Sequence, residues 1–395
     1  MFSTRVPAHL TPNRIARAVQ RARADRRPLI DLTATNPTTV GIVYPEEMLR
    51  ALGSGEALVY APEPFGLASA RAAVSADYAR RGFTVERDRI VLTASTSEAY
   101  SILFKLLCAP GGDAVLVPTP SYPLFDHLTA LDGVRAIPYR LDNHGAWRIA
   151  FDDLDRGWSA DVRAVLAVSP NNPTGSILTA DEVRELSARC ADRGAALIID
   201  EVFADYPLAD SVISTAEPRT SSVDPRQVSC LSFHLGGLSK SAGLPQVKLG
   251  WIAVDGPGAL VRSALERLEV ICDAYLSVST PVQVAAPSLI AAGAQVRARI
   301  RERIRANHAE LQRLAAAHPA IQVLPADAGW SAVLRVPSTR SEEDLVLALI
   351  DQDGVLAHPG FFFDFAHEAF LVVSLLPDPS AFAEGVRRLL ERADA

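Results

Sequence analysis

Between about residues 89 and 254, short runs that are apolar almost throughout alternate with longer segments whose apolar residues recur at helical spacing. The runs are Ile90–Thr93, Ala114–Val117, Arg163–Ser169, Ala196–Asp200, Ser229–Phe233 and Leu249–Val254. A strand covered by helices on both faces loses the in–out alternation of a half-exposed one, so these runs predict a mainly parallel sheet joined by crossover helices. From about 257 to 317 the period is helical and long, with Pro281 and Pro287 as boundaries or kinks. Beyond it, strands are expected at Ile321–Leu324, Trp330–Val336 and Phe370–Leu375 around a helix at Glu342–Gln352, with an amphipathic helix at Ser380–Arg392 closing the pattern. The expected fold is α/β: a large body over residues 46–275 with a mainly parallel central sheet, and a smaller C-terminal α+β unit over 276–395. Residues 1–45 are expected to form an arm that joins the smaller unit.

Composition narrows the function. A chain of 395 residues exceeds what one core usually organises, and 49% hydrophobic with 22% charged residues is ordinary globular usage. A formal net charge of -7 offers no field for nucleic acid or an anionic membrane. Cys108, Cys190, Cys230 and Cys272 are far apart with no C-x-x-C pair, which argues against zinc and disulfides and reads as small buried hydrophobes. The first twenty residues lack the apolar core of a secretory leader, and no run is long enough to span a membrane, so a cytoplasmic protein is expected.

Four segments carry candidate chemistry. Lys240, in Gly237-Leu238-Ser239-Lys240, follows a candidate strand; its amine either forms an imine with an aldehyde cofactor or is a solvated surface group. Asp200 ends the run Ala196-Leu197-Ile198-Ile199 at the carboxyl edge of a strand, where it holds a pyridine nitrogen protonated or caps the next loop. Ser169-Pro170-Asn171-Asn172-Pro173-Thr174-Gly175 is a stiff turn whose Asn amide can donate to a phenolate oxygen. Ser95-Thr96-Ser97-Glu98 fits a capping box, and a helix starting there offers N–H groups to an anion such as phosphate; Thr179-Ala180-Asp181-Glu182 reads as a cap alone.

In this order the segments resemble the class I/II aminotransferases of fold type I, over nearly the whole chain. The resemblance implies pyridoxal 5'-phosphate as cofactor, with Lys240 as Schiff-base lysine and Asp200 as partner of the pyridine nitrogen. It makes Asn172 the donor to the phenolic oxygen and Tyr122, in Thr119-Pro120-Ser121-Tyr122, the ring that stacks on the cofactor. Ser95, Thr96, Ser97 and Ser239 resemble phosphate ligands. Tyr60 is similar to the tyrosine that reaches the phosphate of a neighbouring subunit, which implies a homodimer with shared sites. The loop Thr35-Asn36-Pro37-Thr38 resembles the segment that closes over substrate, so Asn36 joins Asn172 as a substrate contact.

Three departures stand out. Phe203 replaces the family's tyrosine three residues after the aspartate, which predicts an imine easier to protonate unless Tyr206 supplies the missing hydrogen bond. Lys248 replaces an arginine; the charge survives without the bidentate fork, and phosphate binding is expected to persist. Val372 stands where the family's carboxylate-binding arginine precedes Ser374. Either another cation substitutes, Arg5, Arg14 and Arg335 being available, or the substrate's acid group is held differently or is absent. The expected reaction is transamination between an amino acid or amine and a keto acid. Lyase, decarboxylase, cyclase and oxidase chemistry on the same fold is the alternative. No G-x-G-x-x-G follows a candidate strand and no H-E-x-x-H occurs, which disfavours a nicotinamide dehydrogenase and a metal hydrolase.

Overall fold

The computed structural model describes residues 2–8, 10–209 and 228–395. Helix α1 (Arg14–Ala24) and the short β1 (Ile30–Asp31) precede the large body. That body runs α2 (Ala68–Arg80), β2 (Ile90–Thr93), α3 (Thr96–Leu107), β3 (Ala114–Thr119), α4 (Phe125–Asp132), β4 (Arg135–Asn143), β5 (Trp147–Ile149) and α5 (Phe151–Gly157). It continues through β6 (Val162–Val168), α6 (Ala180–Arg193), β7 (Ala196–Asp200), β8 (Ser232–Gly237), the four-residue α7 (Leu238–Ser241) and β9 (Gly250–Asp255).

Strands β2 to β9 form one eight-stranded sheet in the order β2-β9-β8-β7-β6-β3-β4-β5. The pairings β4-β3-β6-β7-β8 are parallel, while β9 and β5 pair antiparallel with their neighbours. Both β7, inside the sheet, and β2, at its edge, are buried at every position, as helices on both faces require. Strands β4 and β5 escape the sequence reading because their burial is mixed and one edge is wet.

Two long helices follow, α8 (Gly258–Tyr275) and α9 (Thr280–Ala315), with Pro281 in the first turn of α9, where its missing N–H costs nothing, and Pro287 inside it. The C-terminal part holds β10 (Gln322–Val323), β11 (Ser331–Arg335), α10 (Glu342–Ala348), β12 (Val355–Leu356), β13 (His358–Pro359), β14 (Phe370–Ser374) and α11 (Pro379–Asp394). Four of these strands make a second sheet, β10-β11-β14-β13, antiparallel throughout. The N-terminal arm reaches this part: β1 pairs with β12, and the Ser374 hydroxyl donates to the Ala34 carbonyl at 2.6 Å. Among the described residues no helix is long and apolar enough to cross a membrane, and all four cysteines are free and buried.

Candidate active site

The parallel order places the carboxyl ends of β6, β7 and β8 side by side, and the chain leaves them through Asn171–Gly175, Asp200–Val202 and Leu238–Ser241. Asp200, 7% exposed, closes β7 with a buried carboxylate. Its Oδ2 accepts from the Tyr100 hydroxyl at 2.9 Å and its Oδ1 from the Val202 amide at 3.0 Å. Burial nonetheless wins over these bonds, pushing the carboxyl up to about 6. Lys240 lies on α7 with its amine 5.0 Å from the centre of the Trp330 ring and 5.6 Å from that of Phe203. Burial lowers its pKa, and the Asp200 charge opposes that only in part. A carboxyl and an amine whose pKa values burial shifts toward their neutral forms thus lie within each other's field.

The stiff turn after β6 separates its two asparagines. Asn171 is buried and its amide is used internally: Nδ2 donates to the Pro120 carbonyl at 3.0 Å and to Thr174 Oγ1 at 2.9 Å, while Oδ1 accepts from Ser121 at 2.9 Å. At Asn172, Oδ1 accepts from Ser331 at 3.4 Å, with no protein acceptor for Nδ2 among the described residues. Gly175 ends the turn at φ +69°, and a Cβ there would lie 2.4 Å from the Ala328 carbonyl. Only glycine allows that approach, which docks the segment leading into Trp330.

Helix α3 starts at Ser95, whose hydroxyl accepts from the Glu98 amide at 3.1 Å, while the Glu98 carboxylate takes the Ala94 amide. The amides of Thr96 and Ser97 keep no protein acceptor among the described residues, so the anion-ready end expected from the sequence is present. Gly250 lies against it, and a Cβ there would come within 3.2 Å of the Thr96 nitrogen. At Thr179 the box closes in both directions, as a cap.

Tyr122 is half-buried and packs edge-on against Phe125 at 5.8 Å; burial and the Asp200 charge raise its hydroxyl pKa. Ser239 is half-buried next to Lys240. Tyr60 is 70% exposed and Asn36 is exposed, and among the described residues neither makes a hydrogen bond or ring contact with Lys240. Lys248, expected from the sequence to help bind phosphate, is exposed on a left-handed backbone, φ 63°. Tyr206 does not replace the missing tyrosine: its hydroxyl donates to the backbone carbonyl of Lys240 and its ring packs on Trp330 at 5.0 Å.

Val372 is 2% exposed in an apolar cluster with Trp147, Leu324, Val333 and Phe363. Of the three alternative cations, Arg5 donates to the Leu131 carbonyl and Arg14 pairs with Glu343 and Asp344. Arg335 lies one step beyond the cluster on β11, cross-strand from Phe370. Tyr100 and Trp330 escape the sequence reading, because a tyrosine in an apolar helix and a tryptophan opening a strand read as core until the fold turns them toward Asp200 and Lys240.

The family model for aminotransferase class I and II matches residues 28–389. A glutamate-pyruvate aminotransferase of Haemophilus influenzae is 26% identical over 65% of this chain and 62% of its own length. An alanine aminotransferase of Mycobacterium bovis is 29% identical over 67% of this chain and 60% of its own. The matched stretch therefore spans about three fifths of these curated relatives. An alanine aminotransferase from Pyrococcus furiosus superposes with a TM-score of 0.86 at 21% identity, covering 99% of both chains. An aspartate aminotransferase of Thermus thermophilus gives 0.82 at 20% identity, again over 99% of each chain, and the fold is type I.

Proposed function

The chain belongs to the class I and II aminotransferase family, and we propose that it is a transaminase that uses pyridoxal 5'-phosphate to move an amino group between an amino acid or amine and a keto acid. The observation that carries this is the Asp200–Lys240 pair. The carboxyl raised to about 6 calls for a cationic partner, and burial shifts the amine toward the neutral, nucleophilic form. Both fit a pyridine aldehyde placed between them. When bound, the cofactor would supply the electron sink for charge developing at the carbon that bears the amine.

Lys240 would hold the cofactor and, once displaced by the substrate amine, carry the proton between the two carbons that exchange it. Burial lowers its pKa toward the neutral form, and the Trp330 and Phe203 rings confine its side chain. Asp200, steadied by Tyr100 and Val202, would keep the ring nitrogen protonated. Asn172 would donate its free Nδ2 to the ring oxygen, and Tyr122 would set the ring's tilt. Thr96 and Ser97 at the start of α3, with Ser95, Ser239 and Lys248, would take the phosphate.

Tyr60, exposed in one chain, would complete the phosphate site of a second copy, making a homodimer with shared sites. Asn36 would approach substrate from the arm. The division at residues 45 and 275, and residence in the cytoplasm, belong to the same reading. The closed apolar cluster at Val372 favours one rival, a lyase, decarboxylase, cyclase or oxidase on the same cofactor, because it leaves β14 without a cation for an amino acid's carboxylate.

The test mixes purified holoprotein, without acceptor, with a panel of amino acids and simple amines and follows the cofactor's absorbance. Stoichiometric conversion with release of a keto acid or aldehyde is expected. Steady release of ammonia, carbon dioxide or peroxide without conversion would select the rival.

A further inference from the structure

One face of β11 carries Ser331, Val333 and Arg335 in succession, since every second side chain of a strand points the same way. Ser331 reaches Asn172, Val333 enters the apolar cluster with Val372 and Trp147, and Arg335 borders a cavity of about 380 Å³ between the two sheets. Thr119 and Pro120 at its border lead toward Tyr122, but Lys240, Asp200, Asn172 and Tyr122 themselves are not among the residues that line it. Its volume is that of a small-molecule site.

Its walls combine two kinds of surface. Phe365 stacks on Phe370 at 4.6 Å between centroids and meets Trp147 edge-on at 6.1 Å, giving a flat aromatic floor. Two guanidinium groups border it, Arg140 from β4 and Arg335 from β11. Arg140 meets Asp153 through its Nε at 3.5 Å, and Arg335 has no ion pair among the described residues. Against these two guanidinium groups the lining sets one carboxylate, Asp142, and one imidazole, His367.

We propose that this cavity is a second ligand site, distinct from the Lys240 site, for a small organic carboxylate with an aromatic or branched apolar body. The body lies on the Phe365–Phe370 stack and the carboxylate meets the Arg335 fork, with Arg140 beside it. Because Arg140 and Trp147 belong to the large sheet and Arg335 and Phe370 to the small one, the ligand ties the two together.

The experiment titrates the holoprotein calorimetrically with 3-phenylpropionate and with its uncharged counterpart 3-phenylpropan-1-ol, while the cofactor's absorbance is followed. The carboxylate is expected to bind at one site per chain and more tightly than the alcohol. Arg335→Gln should weaken it by roughly tenfold or more, the scale of a hydrogen bond to a charged group. Arg335→Lys should recover part of the loss, and the cofactor's absorbance should not move. Equal affinity in Arg335→Gln, no binding to the wild type, or a spectral change that follows the binding curve would overturn the proposal. Binding is read without turnover, so either result leaves the transaminase assignment to its own test.

Discussion

At the carboxyl ends of β6, β7 and β8 the chain buries polar groups it does not fully satisfy, whereas the face of β11 and β14 across the gap is closed with Val333, Val372, Phe363 and Trp147. The first region stores an unmet demand for a partner, visible in the raised carboxyl of Asp200 and the lowered amine of Lys240. The second has its apolar demand met within the chain. On the proposed reading, one side of the site would hold the cofactor and the other would restrict the substrate.

The sharpest break in this contrast is Lys240→Ala. It should abolish turnover, since no other described residue offers an amine there, and near-wild-type rates in the purified variant would refute the assignment. Asp200→Asn comes next and acts in opposite directions on two observables. With cofactor bound, the rate should fall by at least about a hundredfold, as when a preorganised charge partner is removed. Without cofactor, the same variant should be more stable at neutral pH. A carboxyl raised from 3.8 to about 6 contributes stability that is complete below its unfolded pKa and is lost as pH rises through about 6. The loss amounts to about 3 kcal/mol at 1.36 kcal/mol per unit. Urea midpoints of the two apoproteins at pH 4 and pH 7 measure it; a pH-independent gap would show that Asp200 is not the group titrating.

The closed face is tested by Val372→Arg. A guanidinium forced into the cluster has no counter-charge there, so folding stability should drop by about 3–5 kcal/mol, the scale of an uncompensated buried charge. An unchanged midpoint, with faster cofactor conversion by alanine, would mean that the cluster opens onto the reaction centre.

The same contrast explains how much was legible in sequence. Asp200 and the turn at Asn172 end strands that are apolar almost throughout, and Lys240 follows a buried strand through α7, so their positions follow from the period of the chain and the rule that parallel sheets bind at their carboxyl ends. Strands Ile90–Thr93 and Ala196–Asp200 match their runs residue for residue, whereas β8 lies at Ser232–Gly237, starting three residues later than its run and ending four later. The half-buried β4 and β5 give no such run, yet they supply Arg140 and Trp147. Tyr100 and Trp330 are composition-neutral in sequence; only the fold shows one bonded to Asp200 and the other packed over Lys240. Val372 was legible as a departure, but the cluster that closes around it joins residues over two hundred positions apart, which no local pattern carries.

The smallest effect lies where the two regions touch. Tyr206 is fully buried, and its hydroxyl donates to the backbone carbonyl of Lys240 while its ring packs on Trp330. It holds the peptide that carries the amine rather than the amine itself. Tyr206→Phe keeps the ring and removes one hydrogen bond, leaving a carbonyl with one fewer donor. Stability should fall by about 1 kcal/mol, read from the urea midpoint. The rate should change only a few-fold, because the Trp330 and Phe203 rings still confine the side chain. If the hydroxyl instead reached the cofactor's ring oxygen, the variant would shift the cofactor's absorbance titration while leaving the midpoint in place. That outcome would move Tyr206 from the scaffold of the site into its chemistry.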